Sequence, residues 1–263
     1  MRLVRDGLAL AVDDAGGAGL PVVFQHGLTA SAAQAREAFP GGPRFRRITL
    51  ECRGHGASPL GGDLSIAAFA DDVAALVERV GAPAALGGIS MGAAIALRLA
   101  VTRPGLVSAL ILVRPAWVAE AAPPNMAVLG RIGALLEALP PDAARAAFDA
   151  SGDAAHLAAE SPDNLASAHG FFTRDPLADT ARLLRVVAAD GPGVTEAQVA
   201  ALRLPALVCG TDMDAVHPLA QAERLAALIP GARLTVVPPK SADRAGHFAA
   251  LHAAITGFLT ELP

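Results

Sequence analysis

Residues 88–92 read Gly-Ile-Ser-Met-Gly and set Ser90 between two glycines, at a spacing that suits a nucleophile. A serine hydroxyl attacks poorly at neutral pH unless a base takes its proton and an acid orients that base. Candidates for both lie downstream. Residues 210–218, Gly-Thr-Asp-Met-Asp-Ala-Val-His-Pro, carry the carboxylates Asp212 and Asp214, and residues 245–248, Ala-Gly-His-Phe, carry His247. The chemistry such a set performs is acyl transfer to water through a covalent acyl-serine.

The flanking segments give the pentapeptide its meaning. Residues 84–89 are an apolar run of strand length, and 91–101 have helical character, so Ser90 falls on a strand-to-helix reversal. Such a reversal strains the backbone at its tip and crowds positions 88 and 92, where only glycine fits. It also leaves the Met91 N–H, in the first helical turn, free to stabilise a developing oxyanion. A second donor is expected from the loop after strand 21–24, Gln25-His26-Gly27-Leu28, through the Leu28 N–H. His26 reads as a residue that holds this loop by hydrogen bonds.

On a reversal of this kind the chain order is serine, acid, histidine. The acid belongs on the loop after strand 206–209, where Asp214 is favoured and Asp212 reads as a turn cap. Glu120, after the preceding strand, is a remote third choice. His247, at the start of the last helix, is expected to be the base, with a polar helix cap as its alternative role.

The elements that must position these groups alternate between strand-like and helix-like runs. Residues 2–12, with an Asp6-Gly7 turn, read as an antiparallel hairpin. Strands 21–24, 47–50, 84–89 and 107–113 follow, with an amphipathic helix over 65–80. From 116 to 203 only helical runs recur: 126–139, 142–150, 162–172, 179–189 and 195–202. The alternation resumes with strands 206–209 and 233–237 and helices 219–228 and 247–259. This predicts an α/β fold: a mostly parallel twisted sheet with helices on both faces. Residues 1–115 and 204–263 form its core, and 116–203 a helical cap over the sheet edge where ligands bind in such folds.

Composition narrows the function classes. The 263 residues are 53% hydrophobic, largely through alanine, and no uncharged apolar run reaches the roughly 18 to 20 residues of a spanning helix. Net charge is −4 with no basic block, which argues against nucleic acid and a membrane surface as partners. The amino terminus shows no secretory h-region, so a cytoplasmic location is expected. Cys52 and Cys209 read as reduced, buried thiols.

Taken in order, His26-Gly27, Arg53-Gly54-His55-Gly56-Ala57-Ser58, Gly88–Gly92, Asp214-Ala215-Val216-His217-Pro218 and Gly246-His247 resemble the α/β-hydrolase family. The resemblance spans nearly the whole chain outside the helical block. It is greatest to the esterase, enol-lactone hydrolase and cofactor-free haloperoxidase branch. The segment 53–58 is similar to the family's structural loop, with Glu51 where an aspartate is usual and His55 as a buried scaffold residue. Another departure is the long approach to His247 over residues 238–244.

The expected function is hydrolysis of an ester, thioester or lactone of a small, largely apolar molecule by Ser90, His247 and Asp214, without cofactor or metal. Carbon–carbon bond hydrolysis is a variant, and a ligand-binding, receptor-like protein with little turnover is the alternative class. Trp117, Phe171 and Phe172 are expected at the substrate pocket. Arg114, after strand 107–113, could pair with a substrate carboxylate. His156 and His169 have no evident partner, and association into a homodimer is compatible with the sequence.

Overall fold

The computed structural model describes residues 1–262. Strands β1 (Arg2–Arg5) and β2 (Leu8–Asp14) form an antiparallel hairpin, followed by β3 (Leu20–Gln25). Helix α1 (Ala32–Ala38), β4 (Phe45–Leu50), α2 (Ile66–Val80), β5 (Ala84–Ile89), α3 (Met91–Thr102) and β6 (Val107–Val113) complete the first half. Six helices come next: α4 (Ala127–Ala138), α5 (Pro141–Asp149), α6 (Gly152–Glu160), α7 (Pro162–Phe171), α8 (Leu177–Ala188) and α9 (Glu196–Ala200). The chain closes with β7 (Ala206–Thr211), α10 (Leu219–Leu228), β8 (Arg233–Val237) and α11 (Arg244–Thr260).

The strands form one eight-stranded sheet in the order β1-β2-β4-β3-β5-β6-β7-β8. Pairing is antiparallel as far as β2–β4 and parallel from β4 onward. β5 is buried along its whole length, as expected of a central parallel strand covered on both faces. Its neighbours β3 and β6 end in buried residues at the same edge, so the loops after β3, β5, β6 and β7 converge there.

One apolar core lies under α2, α3 and α10 and continues into α4–α9; the other lies under α1 and α11. The helix periodicity follows from this division. In α2, Ile66, Phe69, Val73, Leu76 and Val77 face the sheet. The Ser65 side chain caps its start by accepting from Ala68 N–H, and Gly81, with φ of 112°, ends it. The sequence left α1 and α6 unassigned. α1 is a seven-residue, alanine-rich helix capped by Ser31, and α6 is capped by Ser151.

The turn from β5 into α3 is the tightest point of the fold. Ser90 has φ of 54° and ψ of −110°, a left-handed conformation costing on the order of 1–3 kcal/mol for a residue with a side chain. A Cβ at Gly92 would meet Gln25 O at 2.6 Å and His26 O at 2.8 Å, and one at Gly88 would meet Gln25 O at 2.7 Å. Both obstacles are backbone of β3 and its following loop, which cannot move aside as a side chain could. Gly88→Ala and Gly92→Ala are therefore expected to lower stability by about 1–3 kcal/mol or more in urea unfolding. Gly257→Ala, in open space on α11, should raise it by roughly 0.5–1 kcal/mol. Equal effects at all three positions would contradict this account.

Candidate active site

Ser90 projects from the β5–α3 turn, and its Oγ lies 2.8 Å from His217 Nε2. The other ring nitrogen, Nδ1, lies 2.9 Å from Asp214 Oδ1. Protonation at Nδ1 satisfies both contacts: Nδ1–H donates to the carboxylate, and Nε2 accepts from the serine hydroxyl. Serine, imidazole and carboxylate thus form one continuous hydrogen-bonded line. All three are shielded from bulk water, with side-chain exposures of 12% for His217 and 3% for Asp214.

The histidine in this line is not the one the sequence order suggested. His247 sits in the first turn of α11, where its Nδ1–H donates to the Pro238 carbonyl at 2.7 Å. The long 238–244 approach supplies that carbonyl and holds the ring there. His217 instead comes from the same loop as Asp214, three residues on, and its own backbone N–H also donates to Asp214 Oδ1 at 2.9 Å. A single turn after β7 therefore presents both carboxylate and imidazole. Asp214 lies where the sequence reading put the acid, whereas Asp212 is exposed and outside the line.

Arg114, after β6, claims the remaining carboxylate oxygen. Its Nε donates to Asp214 Oδ2 at 2.8 Å and its Nη2 approaches the same oxygen. Nη2 also comes within 3.3 Å of His217 Nδ1, a contact and not a bond when Nδ1 carries its proton. The expected role for Arg114, pairing with a substrate, is occupied here by Asp214.

Electrostatics follow from these contacts. Burial alone would raise the Asp214 carboxyl, but the charges and hydrogen bonds of His217 and Arg114 outweigh it and hold the group well below the usual carboxylate range. For His217, burial pushes the pKa down and the Arg114 charge adds to that, while Asp214 opposes both; the net direction is downward. The imidazole is thus kept neutral and able to accept a proton at pH 7.

The loop after β3 faces Ser90 from the other side. Gly27 N–H donates to Gln34 Oε1 at 2.7 Å, and His26 bridges backbone to backbone: Nδ1–H donates to Gly27 O at 2.8 Å while Nε2 accepts from Cys52 N–H at 3.1 Å. His55 packs against His26 with ring centroids 4.8 Å apart and the planes tilted by 39°. Among the described residues, neither the Leu28 nor the Met91 N–H is spent on a backbone carbonyl of the surrounding loops.

A cavity of about 330 Å³ opens over Ser90, within the range for a small ligand. Leu28, Ile89, Leu129, Phe171 and Val216 give it apolar walls, and Thr29, Gln34, Asn164, Arg174 and Lys240 give it polar ones. Phe171 is where the sequence suggested. Trp117 and Phe172 are not on the wall. Trp117 is fully buried, its Nε1–H donating to Asp190 O at 2.9 Å, and Phe172 packs on Phe148 at 5.6 Å between centroids. The sequence reading missed His217, Arg174 and Lys240. Two signals were visible: His217 stands within the quoted 214–218 motif, and Lys240 is the chain's single lysine, within the atypical 238–244 segment.

Among the described residues, no three His, Cys, Asp or Glu side chains gather as metal ligands would, and no helix is long and apolar enough to cross a membrane. Cys52 and Cys209 are buried free thiols, the latter raised to about 12 by burial.

Comparison with known proteins agrees with the fold. A model of the alpha/beta hydrolase family matches residues 21–256. A stretch of 103 residues is 37% identical to an sn-1-specific diacylglycerol lipase of Mus musculus, covering 37% of this chain and 34% of that protein. The chain thus spans about a third of the length of that relative. Among solved structures, a thermophilic esterase from Thermogutta terrifontis superposes with a TM-score of 0.71 at 23% identity over 98% of this chain and 94% of that one. An enol-lactonase from Burkholderia xenovorans does so with a TM-score of 0.65 at 22% identity over 97% and 98%. At these identities the likeness concerns the fold.

The histidines also set a pH limit on stability. Burial lowers the pKa of His26 and drives that of His55 well below its ordinary value, and His217 and His247 are lowered as well. Below about pH 6.5 the unfolded chain binds protons that the folded one refuses, so stability falls as pH drops through that window. The melting temperature is expected to decline from about pH 7 to about pH 5, with each such proton contributing up to about 1.4 kcal/mol per pH unit. His55→Leu should make the slope shallower; an unchanged slope would show that His55 titrates normally.

Proposed function

The chain belongs to the alpha/beta hydrolase family, and we propose that it is a hydrolase that cleaves an ester, thioester or lactone through an acyl-enzyme on Ser90, with His217 as base and Asp214 as orienting acid. The observation that carries this reading is the unbroken Ser90–His217–Asp214 hydrogen-bond line. The relatives named above as esterase, lactonase and lipase are consistent with acyl substrates.

In this mechanism Ser90 Oγ attacks the substrate carbonyl carbon as its proton passes to His217 Nε2. The oxyanion is received by the Leu28 and Met91 N–H groups. His217 returns the proton to the leaving oxygen or sulfur as the carbonyl re-forms. Water then enters, loses a proton to His217, attacks the acyl carbon, and releases the acid and free Ser90. Asp214 keeps Nδ1 protonated and stabilises the imidazolium formed in each half-reaction. We assign residues 116–203 the role of a cap, since α4 and α7 supply Leu129, Asn164 and Phe171 to the cavity wall.

A fluorophosphonate probe should label the protein, and Ser90→Ala should abolish labelling. His217→Ala and Asp214→Asn should each cut kcat on a short acyl ester by about ten-thousand-fold, with Asp212→Asn near wild type. His247→Ala is the decisive comparison: if it abolishes turnover while His217→Ala does not, the base is His247. Failure of the wild-type protein to label would instead favour a binding protein with little turnover. Because His217 is held below its ordinary pKa, kcat/KM should survive acidification past about pH 6.5 before falling with a single protonation. A fall centred above that value would contradict the assigned environment.

A further inference from the structure

The cavity over Ser90 is walled by three cations, Arg114, Arg174 and Lys240, and by no aspartate or glutamate among the described residues. Arg114 is matched by Asp214. The other two are not matched. No carboxylate acts on Arg174, whose guanidinium is perturbed by burial alone, and its pKa is lowered accordingly. Lys240 is lowered first by burial and then by the Arg114 charge; Asp163 and Asp214 oppose this only at a distance. Asp163 is itself engaged, its Oδ2 accepting from Ser241 N–H at 2.8 Å.

Partly buried cations carry a desolvation cost, and among the described residues no carboxylate pairs with Arg174 or Lys240 to offset it. The neutral polar groups lean the same way. Gln34 Oε1 accepts from Gly27 N–H and Asn164 Oδ1 accepts from Val216 N–H at 3.0 Å, so each side chain is left with its NH2 group as a free donor. The protein as a whole is acidic, at −4, yet this cavity presents donors and positive charge. A chain that concentrates unmatched cations in one small cavity, against its own net charge, is built to receive an anion there.

We propose that the substrate is an ester or lactone bearing a carboxylate, which Arg174 and Lys240 bind while Ser90 attacks the acyl carbon. This rests on the hydrolase reading of Ser90 and replaces the largely apolar substrate that the sequence suggested. Apolar walls from Leu129 and Phe171 leave room for a short carbon chain between the two groups.

The test compares two esters of the same shape and leaving group: 4-nitrophenyl hydrogen adipate, which ends in a carboxylate, and 4-nitrophenyl 6-methylheptanoate, which ends in a neutral isopropyl group. We expect kcat/KM to favour the adipate by roughly tenfold or more, mainly through KM, equivalent to about 1.4 kcal/mol. Raising sodium chloride from about 0.05 M to about 0.5 M should shrink the ratio. Arg174→Gln and Lys240→Gln should each lower it, and the double variant should bring it close to one. A wild-type ratio near or below one, or a ratio that neither substitution changes, overturns the proposal.

A second readout separates this from failure of the hydrolase reading. If neither ester turns over, calorimetric titration with adipate still reports on the cavity. Binding that weakens several-fold in the double variant supports an anion site without hydrolysis of these esters, and absence of binding overturns it.

Discussion

Everything at this site depends on one backbone constraint, the left-handed turn at Ser90 between β5 and α3. The turn closes only because residues 88 and 92 have no side chains, so the backbone of β3 and its loop can lie directly against them. That contact fixes two things together. The Ser90 hydroxyl is lifted out of the sheet, and the 25–28 loop is brought beside it, a Cβ at Gly27 lying 3.5 Å from that of Ser90. β5, buried throughout, anchors the turn against motion. The strain at Ser90, roughly 1–3 kcal/mol, is small beside the burial of β5 and α3 and is held by it.

The second constraint is electrostatic and involves three residues from two loops. Asp214 is shared between the imidazole of His217 and the guanidinium of Arg114. The charges and hydrogen bonds of His217 and Arg114 hold the carboxyl well below the usual carboxylate range, so at neutral pH Nδ1 of His217 faces an ionised acceptor. The same guanidinium also disfavours the imidazolium, because it places a positive charge close to the ring. Keeping the ring in its neutral form thus comes at the expense of its basicity. Lys240 adds to the second effect at longer range. An anionic group bound between Arg174 and Lys240 would relieve it, linking substrate charge to the basicity of His217.

Much of this was legible in the sequence. The Gly-x-Ser-x-Gly run reports a steric requirement, and steric requirements on glycine are local. The hydrophobic runs of β5 and β6 report burial on both faces, and the 116–203 interval reports itself by the loss of strand-like runs. Asp214 was expected on the loop after β7, and it stands there, three residues past Thr211. The histidine was not. His217 was in plain view three residues past Asp214, but which of two histidines reaches Ser90 depends on loop geometry. The turn after β7 swings His217 back over its own aspartate, and the Pro238 carbonyl holds His247 aside. Trp117 and Phe172 failed as pocket residues for a related reason. Large aromatic side chains serve a core as readily as a cavity, and only packing distinguishes the two.

The helical segment between β6 and β7 does more than border the cavity. Ser161 Oγ accepts from Ala215 N–H at 2.7 Å, Asn164 Oδ1 accepts from Val216 N–H, and Asn125 Nδ2 donates to Val216 O at 2.7 Å. Three of the polar backbone groups between Asp214 and His217 are therefore satisfied by side chains from this segment and not by the sheet. At its far end the segment is tied to the core again, where Asp190 Oδ2 accepts from Ile66 N–H at the start of α2 and Arg98 donates to Pro192 O. The loop carrying acid and imidazole is consequently held from above by helices and from below by β7. The Val216 N–H held by Asn164 of α7 is the backbone group next to His217. Asn164 thus belongs both to the cavity wall and to the support of the loop that carries Asp214 and His217, so one side chain ties the helical segment to the Ser90–His217–Asp214 line.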